Sequence, residues 1–275
     1  MSAIKFSIVT IAYNAEHEIK ETMLSVLKQD YRPIEYIVVD GGSTDGSNNI
    51  IENIISEYST SDIEIKYKSE PDQGISDAFN KGIAKSTGDV IGLINAGDQL
   101  MPGALKKIAA FLNDSVDIVY GKTLFVDKTN HLKYLRQIPD HLDISKIKYN
   151  GLIFTHQSAF VKKKIYAQYG LYDTSFKYVM DTELFANFVE HGVKFFYIDE
   201  VLVSMLAGGI SSRPSLALVK ENIRVAEKYG GYSKKKIYAR WIMRLPRYYI
   251  VCCLKKFPKI WLFLIGKRRA MGYDS

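Results

Sequence analysis

With 275 residues, 47% of them hydrophobic, the chain is long enough to bury a full core, which excludes a predominantly disordered protein. Its net charge of +7 is uneven: residues 1–227 carry 24 Lys and Arg against 29 Asp and Glu, whereas residues 228–275 carry 13 against one. An acidic body excludes a uniformly basic nucleic-acid binder, and a basic end points to contact with an anionic surface.

The N-terminus runs into a strand-like segment without a charged start, apolar stretch and cleavage site, and the two cysteines, Cys252 and Cys253, are adjacent. Both features lead to the expectation of a cytoplasmic protein in a reducing compartment. Residues 6–11 read as a buried strand, and Asn14 as the N-cap of a helix whose Ile19, Met23, Val26 and Leu27 share one face. A second strand is expected over 34–39. Its helix carries the stripe Ile50, Ile51, Ile54, Ile55 and Tyr58, and a third strand follows over 63–67. A helix over 76–86 and a strand over 89–94 complete the alternation.

Such units predict an open, mostly parallel sheet flanked by helices, with ligand at the carboxyl ends of its strands. The segments placed there, 13–14, 40–46, 70–74 and 95–98, are all polar. Beyond Pro102, suited to a first helical turn, strands are expected over 117–120 and 122–135 with a turn at 128–130, and a helix over 182–191. Residues 234–269 mix Lys and Arg with Trp241, Tyr248, Tyr249, Phe257, Trp261 and Phe263. Their apolar runs fall well short of the roughly 20 residues of a membrane span. The expected organisation is a domain over 1–215, in two halves (1–100 and 101–215), and a basic, aromatic, mostly helical tail over 216–275.

Five segments carry a resemblance: SIVTIAYN at 7–14, YIVVDGGSTDG at 36–46, EPDQGISDAFNKG at 70–82, NAGD at 95–98 and MDTEL at 180–184. In order and spacing they closely resemble the family-2 glycosyltransferases, inverting enzymes of the GT-A fold that include the bacterial surface-polysaccharide type. The resemblance covers residues 4 to about 210 and implies that 1–215 is a catalytic domain, with a nucleotide half (1–100) and an acceptor half (101–215). It implies transfer of a sugar, a hexosyl group in the first instance, from a UDP-sugar or, second, a GDP-sugar to a hydroxyl of an oligosaccharide or lipid-linked acceptor.

The resemblance also implies roles. Asp40 would accept from the nucleotide base, with Thr10, Ala12 and Tyr13 packing beside it. An ionised carboxylate, acceptor-only, suits an N–H of uracil or guanine. Asp40 with Gly41 and Gly42 is otherwise a strand end and turn. Asp45 serves either the ligand or the next helix as a cap. Asp72 is a donor contact, Gly74 permits close backbone approach, and Asp77, Asn80 and Lys81 are weaker donor candidates. Asp98 would hold a divalent Mg2+ or Mn2+ against the diphosphate, although Gly97 stands where a further acid is expected. One or two protein carboxylates suffice for such an ion.

Asp181 is the candidate base, with an N-cap as its other reading. His156 and Gln157 are acceptor-side candidates, and Arg213, in the loop 208–213, is a contact to the diphosphate. The tail implies peripheral attachment to the inner face of the cell membrane, and no nucleic-acid partner is expected. Two other functions fit parts of the pattern. A nucleotidyltransferase would need a glycine-rich basic loop after the first strand, which is missing after Thr10. A non-catalytic nucleotide-binding subunit is suggested by Gly97 and opposed by Asp98 and Asp181.

Overall fold

A computed structural model describes residues 3–58, 62–127, 132–136, 138, 142–207, 215–230, 235, 237–239, 242–243, 246 and 250. β-branched and aromatic residues, buried along their whole length, build the central strands β1 (Phe6–Ala12) and β2 (Ile34–Asp40). β3 (Ile63–Ser69) and β4 (Val90–Asn95) extend the same layer, so that β3-β2-β1-β4 lie side by side and parallel. The helices α1 (Ile19–Leu27), α2 (Ser47–Tyr58) and α3 (Ile75–Lys85) are the crossovers. Alternation along β1 decides which side each helix covers: Phe6 and Ile8 pack with α1 and α2, whereas Val9 and Ile11 pack with α3. The expected apolar face of α1 is fully buried.

The second half is mixed. β5 (Gln99–Leu100) leads to α4 (Ala104–Ala109). β6 (Ile118–Asp127) and β7 (Leu132–Leu135) pair antiparallel, and α5 (Ile147–Asn150), β8 (Ala159–Lys162) and α6 (Lys163–Tyr169) follow. α7 (Met180–Glu190), β9 (Phe195–Leu206) and α8 (Leu216–Tyr229) end the fold. β8 joins the halves, pairing antiparallel with β4 and β6, and the described strands form one sheet in the order β3-β2-β1-β4-β8-β6-β9-β5. The parallel arrangement expected from the first hundred residues therefore stops at β4.

Several local expectations are corrected. Asn14 is not an N-cap: it takes a left-handed conformation (φ 48°), and α1 starts five residues later, at Ile19. Pro102 precedes α4 rather than opening it. The break expected at residue 121 is instead a continuous strand β6, with a register shift against β9 between Tyr120 and Lys122. α7 begins at Met180, so Asp181 lies in its first turn and does not cap it. The opening part of the expected tail is built into the body: α8 packs its Leu218 and Val225 into the core that holds α7. The expected turn at 128–130, the loop 208–213 and most of the aromatic residues of the tail lie outside the described residues.

Candidate active site

The carboxyl ends of β1 to β4 lie along one edge of the parallel strands, and the loops leaving β1 and β2 are tied to each other. Asn14 donates its N–H to Ser43 Oγ and accepts from Thr44 N–H through Oδ1 (2.9 Å). Asp45 accepts from Glu16 N–H and from Ser47 at the start of α2. These bonds hold its carboxyl below the usual carboxylate range, the Ser47 hydroxyl contributing most. Its role here is to join loops and cap a helix.

Asp40 is wholly buried, and its carboxylate is occupied. Oδ2 accepts from Gly42 N–H (3.0 Å), Ser43 N–H (2.8 Å) and Ser69 Oγ (2.7 Å), and Oδ1 accepts from the Ser43 hydroxyl. These are the bonds of a strand end and turn, the other reading of Asp40. Thr10 is likewise interior, accepting from the Tyr36 hydroxyl, and Ala12 is buried. Tyr13 is exposed, at 65%.

The surface carboxylate beside Tyr13 is that of Asp72. Its Oδ2 comes within 2.5 Å, and the Tyr13 ring within 3.4 Å, of the point where a Cβ on residue 41 would lie. Only glycine at 41 leaves room for this approach. Asp72 Oδ1 accepts from Gly74 N–H (2.8 Å), which fixes the loop. Gly74 itself has φ 111°, which favours glycine, and open space where a side chain would be. The weaker donor candidates serve the scaffold: Asp77 accepts from Gln73 N–H, Lys81 binds Asp77 and the Pro71 carbonyl, and Asn80 exchanges two hydrogen bonds with the backbone of Tyr172.

At the end of β4, Asp98 is 4% exposed and accepts from Gln157 Nε2 at 2.8 Å. Burial pushes its carboxyl up to about 6 against the opposing pull of Gln157, His156, the Leu206 N–H and Asn95. Gly97 has φ 99°, a conformation that strains any residue with a Cβ, so the backbone itself asks for glycine where an acid was expected. Asn95 Oδ1 is buried without a hydrogen-bond partner. Sequence reasoning did not single out Asn95; its one signal was its place at the end of a strand, three residues before Asp98. Among the described residues no group of three or more His, Cys, Asp or Glu gathers to hold a metal. A buried carboxylate with a raised pKa beside an unpartnered amide oxygen nevertheless fits a hard divalent cation that takes its remaining ligands from phosphate and water.

The expected acceptor pair lies at the same place. His156 and Gln157 open a short 3-10 turn, His156–Ser158, tied by Ser158 N–H and Oγ to the Thr155 carbonyl. Gln157 is buried, and its amide donates to Asp98. His156 meets the Phe79 ring edge-on, brings Nδ1 to 3.9 Å from Asp181 Oδ2, and keeps Nε2 buried without a partner. Asp181 accepts from Thr182 N–H (2.7 Å) through Oδ1, and its side chain is 30% exposed. Asp98, Gln157, His156 and Asp181 are thus brought together from three chain segments. Arg213 lies outside the described residues.

The family model of "Glycosyl transferase family 2" matches residues 7–170, more than half of the chain. The chain belongs to glycosyl transferase family 2. Similar curated proteins include an uncharacterized glycosyltransferase of Mycobacterium tuberculosis, 29% identical over 185 residues that cover 66% of this transferase and 68% of the relative. A PGL/p-HBAD biosynthesis glycosyltransferase of Mycobacterium bovis is 23% identical over 271 residues, covering 94% and 93%. Among solved structures, S. aureus TarS in complex with UDP-GlcNAc aligns with TM-score 0.65 at 18% identity, covering 87% of this chain and 72% of that one. The mannosyltransferase PcManGT of Pyrobaculum calidifontis, in complex with GDP-Man and Mn2+, aligns with TM-score 0.61 at 17% identity, covering 97% and 80%. At these identities the structural matches establish the fold, a curled open sheet flanked by helices as in GT-A glycosyltransferases. Family membership sets the transferase apart from the nucleotidyltransferases.

Proposed function

We propose that this glycosyltransferase moves a hexosyl group from a nucleotide-diphosphate sugar, UDP-linked in the first place and GDP-linked in the second, to a hydroxyl of a glycan or lipid-linked acceptor, with inversion. The observation that carries the reading is the convergence of Asp98, His156 and Asp181 beyond the end of β4, with Tyr13 and Asp72 close to Gly41 beyond the end of β2. The solved neighbours hold UDP-GlcNAc or GDP-Man, which supports a donor of this class.

In this reading the base stacks on Tyr13, and Asp72, with Asp40 withdrawn into the turn, accepts the N–H of uracil or guanine. Asp98, with Asn95 Oδ1 beside it, holds Mg2+ or Mn2+; such an ion supplies positive charge that stabilises the departing diphosphate. Asp181 removes the proton of the acceptor hydroxyl while that oxygen bonds to the anomeric carbon, and the bond from this carbon to the diphosphate oxygen breaks on the opposite face. His156 stands beside Asp181, with Nδ1 3.9 Å from the carboxylate and Nε2 buried without a partner.

The acceptor reading rests on the C-terminal segment. Ile237 packs on α8 against Val219 and Ile223, while Tyr238, Ile242, Met243 and Ile250 are exposed, in a region with a balance of +12. Apolar side chains among basic ones suit peripheral docking on the anionic inner face of a cell membrane. Among the described residues no helix is long and apolar enough to cross a membrane.

The test is release of UDP or GDP from a donor panel with Mn2+ or Mg2+, with and without acceptor glycans. Asp181→Asn keeps the shape and removes the basicity, so turnover drops about 100-fold or more while nucleotide affinity holds. Absence of nucleotide release from every donor overturns the reading.

A further inference from the structure

The segment that delivers Asp181 has no cap of its own. α7 starts after Val179, and no side chain of that residue satisfies the free N–H groups of the first turn. Instead, three successive backbone N–H groups just before the helix, those of Lys177, Tyr178 and Val179, all donate to the carboxylate of Glu221, at 3.0, 2.8 and 3.1 Å. Glu221 is a buried residue of α8, 42 to 44 positions further along the chain. Asp181 follows two residues after the last of the three donors.

Other residues of α8 grip the same stretch on both sides of Asp181. Arg224 lies over the Phe176 ring (4.1 Å) and donates to the carbonyl and hydroxyl of Ser175. Lys228 Nζ and the Tyr229 hydroxyl donate to the buried Glu183 carboxylate at 2.7 and 2.6 Å. The contacts therefore bracket the candidate base from Ser175 to Glu183.

We propose that α8 is part of the catalytic scaffold and that Glu221 is a positioning residue for Asp181, acting through the backbone of residues 177–179. The inference rests on the reading of Asp181 as the base. α8 falls outside the residues matched by the family model, 7–170. A carboxylate that collects three N–H groups sets where a helix begins, and a displacement of roughly 1 Å in a reacting group can cost about 100-fold in rate. Nucleotide binding, built on β1 to β4 and their loops, does not run through these contacts.

The experiment uses the full chain with Glu221→Gln, Glu221→Ala and Arg224→Leu. It reads kcat and donor KM, the number and affinity of UDP sites by calorimetry, and Tm. With kcat counted per UDP-binding site, Glu221→Gln, which keeps one acceptor oxygen, lowers it about 10-fold, Glu221→Ala lowers it further, and Arg224→Leu lowers it less. UDP affinity and donor KM stay within about twofold of wild type. A merely structural role would reduce the number of UDP sites and Tm while leaving kcat per site unchanged. Unchanged kcat per site in Glu221→Ala overturns the proposal; should that variant not fold, unchanged values in Glu221→Gln and Arg224→Leu together overturn it. Full turnover in Asp181→Asn overturns the base assignment instead, and no nucleotide release by wild type overturns the donor reading.

Discussion

Gln157 donates through Nε2 to the Asp98 carboxylate at 2.8 Å, across 59 residues of chain. The bond fixes one oxygen of the candidate metal ligand. Gln157→Leu removes the donor and leaves the rest of the turn His156–Ser158 in place. Loss of such an outer partner weakens metal affinity by about 10- to 100-fold. Mn2+ titration in the presence of UDP checks this, and unchanged Mn2+ affinity would show that Asp98 does not hold the ion.

Asp98 also predicts a conflict between stability and function. Its folded pKa of about 6 lies above the ordinary carboxylate value of 3.8. The folded state thus binds a proton that the unfolded state has released, and ionisation costs stability as pH rises through this window. At neutral pH, without metal, Asp98→Asn removes that cost and stabilises the fold by up to about 3 kcal/mol, while metal-dependent transfer is lost. Urea unfolding in chelator at pH 7 is the measurement. A destabilised Asp98→Asn would contradict the assignment of the shift to burial.

Glu35 has the opposite sign. Buried in β2, it accepts from Lys66 Nζ (2.5 Å), from the Ser7 hydroxyl, and from Thr87 N–H (2.7 Å) and Oγ1 (2.8 Å). Burial opposes its ionisation, but these bonds together outweigh it and hold the carboxyl down to about 2. The resulting stabilisation is fully present above the unfolded value of about 4.5 and is lost as pH falls towards 2. Glu35→Gln destabilises the protein at pH 7 by about 2–3 kcal/mol and flattens the acid limb of its Tm profile. An acid limb identical to wild type would exclude Glu35 as its source.

Asp40 and Asp72 separate under substitution. Asp72→Asn loses the charged acceptor beside Tyr13 and weakens UDP binding about 10- to 100-fold at nearly unchanged Tm. Asp40→Asn disturbs the turn of residues 41–43 and lowers stability by about 1–3 kcal/mol. Calorimetric UDP titration beside thermal unfolding distinguishes them. Selective loss of UDP binding in Asp40→Asn would return the base contact to Asp40.

Membrane docking is testable by co-sedimentation. Ile242 and Met243 are exposed within the basic segment, so Ile242→Glu with Met243→Glu abolishes binding to vesicles containing phosphatidylserine, without loss of UDP binding. Wild-type binding weakens with salt, because screening shortens the reach of the basic residues. Equal binding by the double variant would remove this face from consideration.

What the sequence determined by itself was the part of the molecule governed by local period. The β-branched runs of β1 and β2, the apolar stripes of α1 and α2, and the polar carboxyl ends of the strands are each written within a few neighbouring residues, so the open parallel half-sheet could be read directly. The order of its motifs likewise pointed to Asp98 and Asp181. Only the tertiary structure decided which carboxylates face outward. Asp40 turned inward because Ser69 of β3 and the turn at 42–43 take up its oxygens, and Asp72 came forward because Gly41 leaves space for it. The bonds from Gln157 to Asp98 and from residues 177–179 to Glu221 join positions 42 to 59 residues apart. No local pattern encodes such pairings, since each depends on where the sheet and helices bring distant side chains and on which polar groups burial then obliges to find a partner.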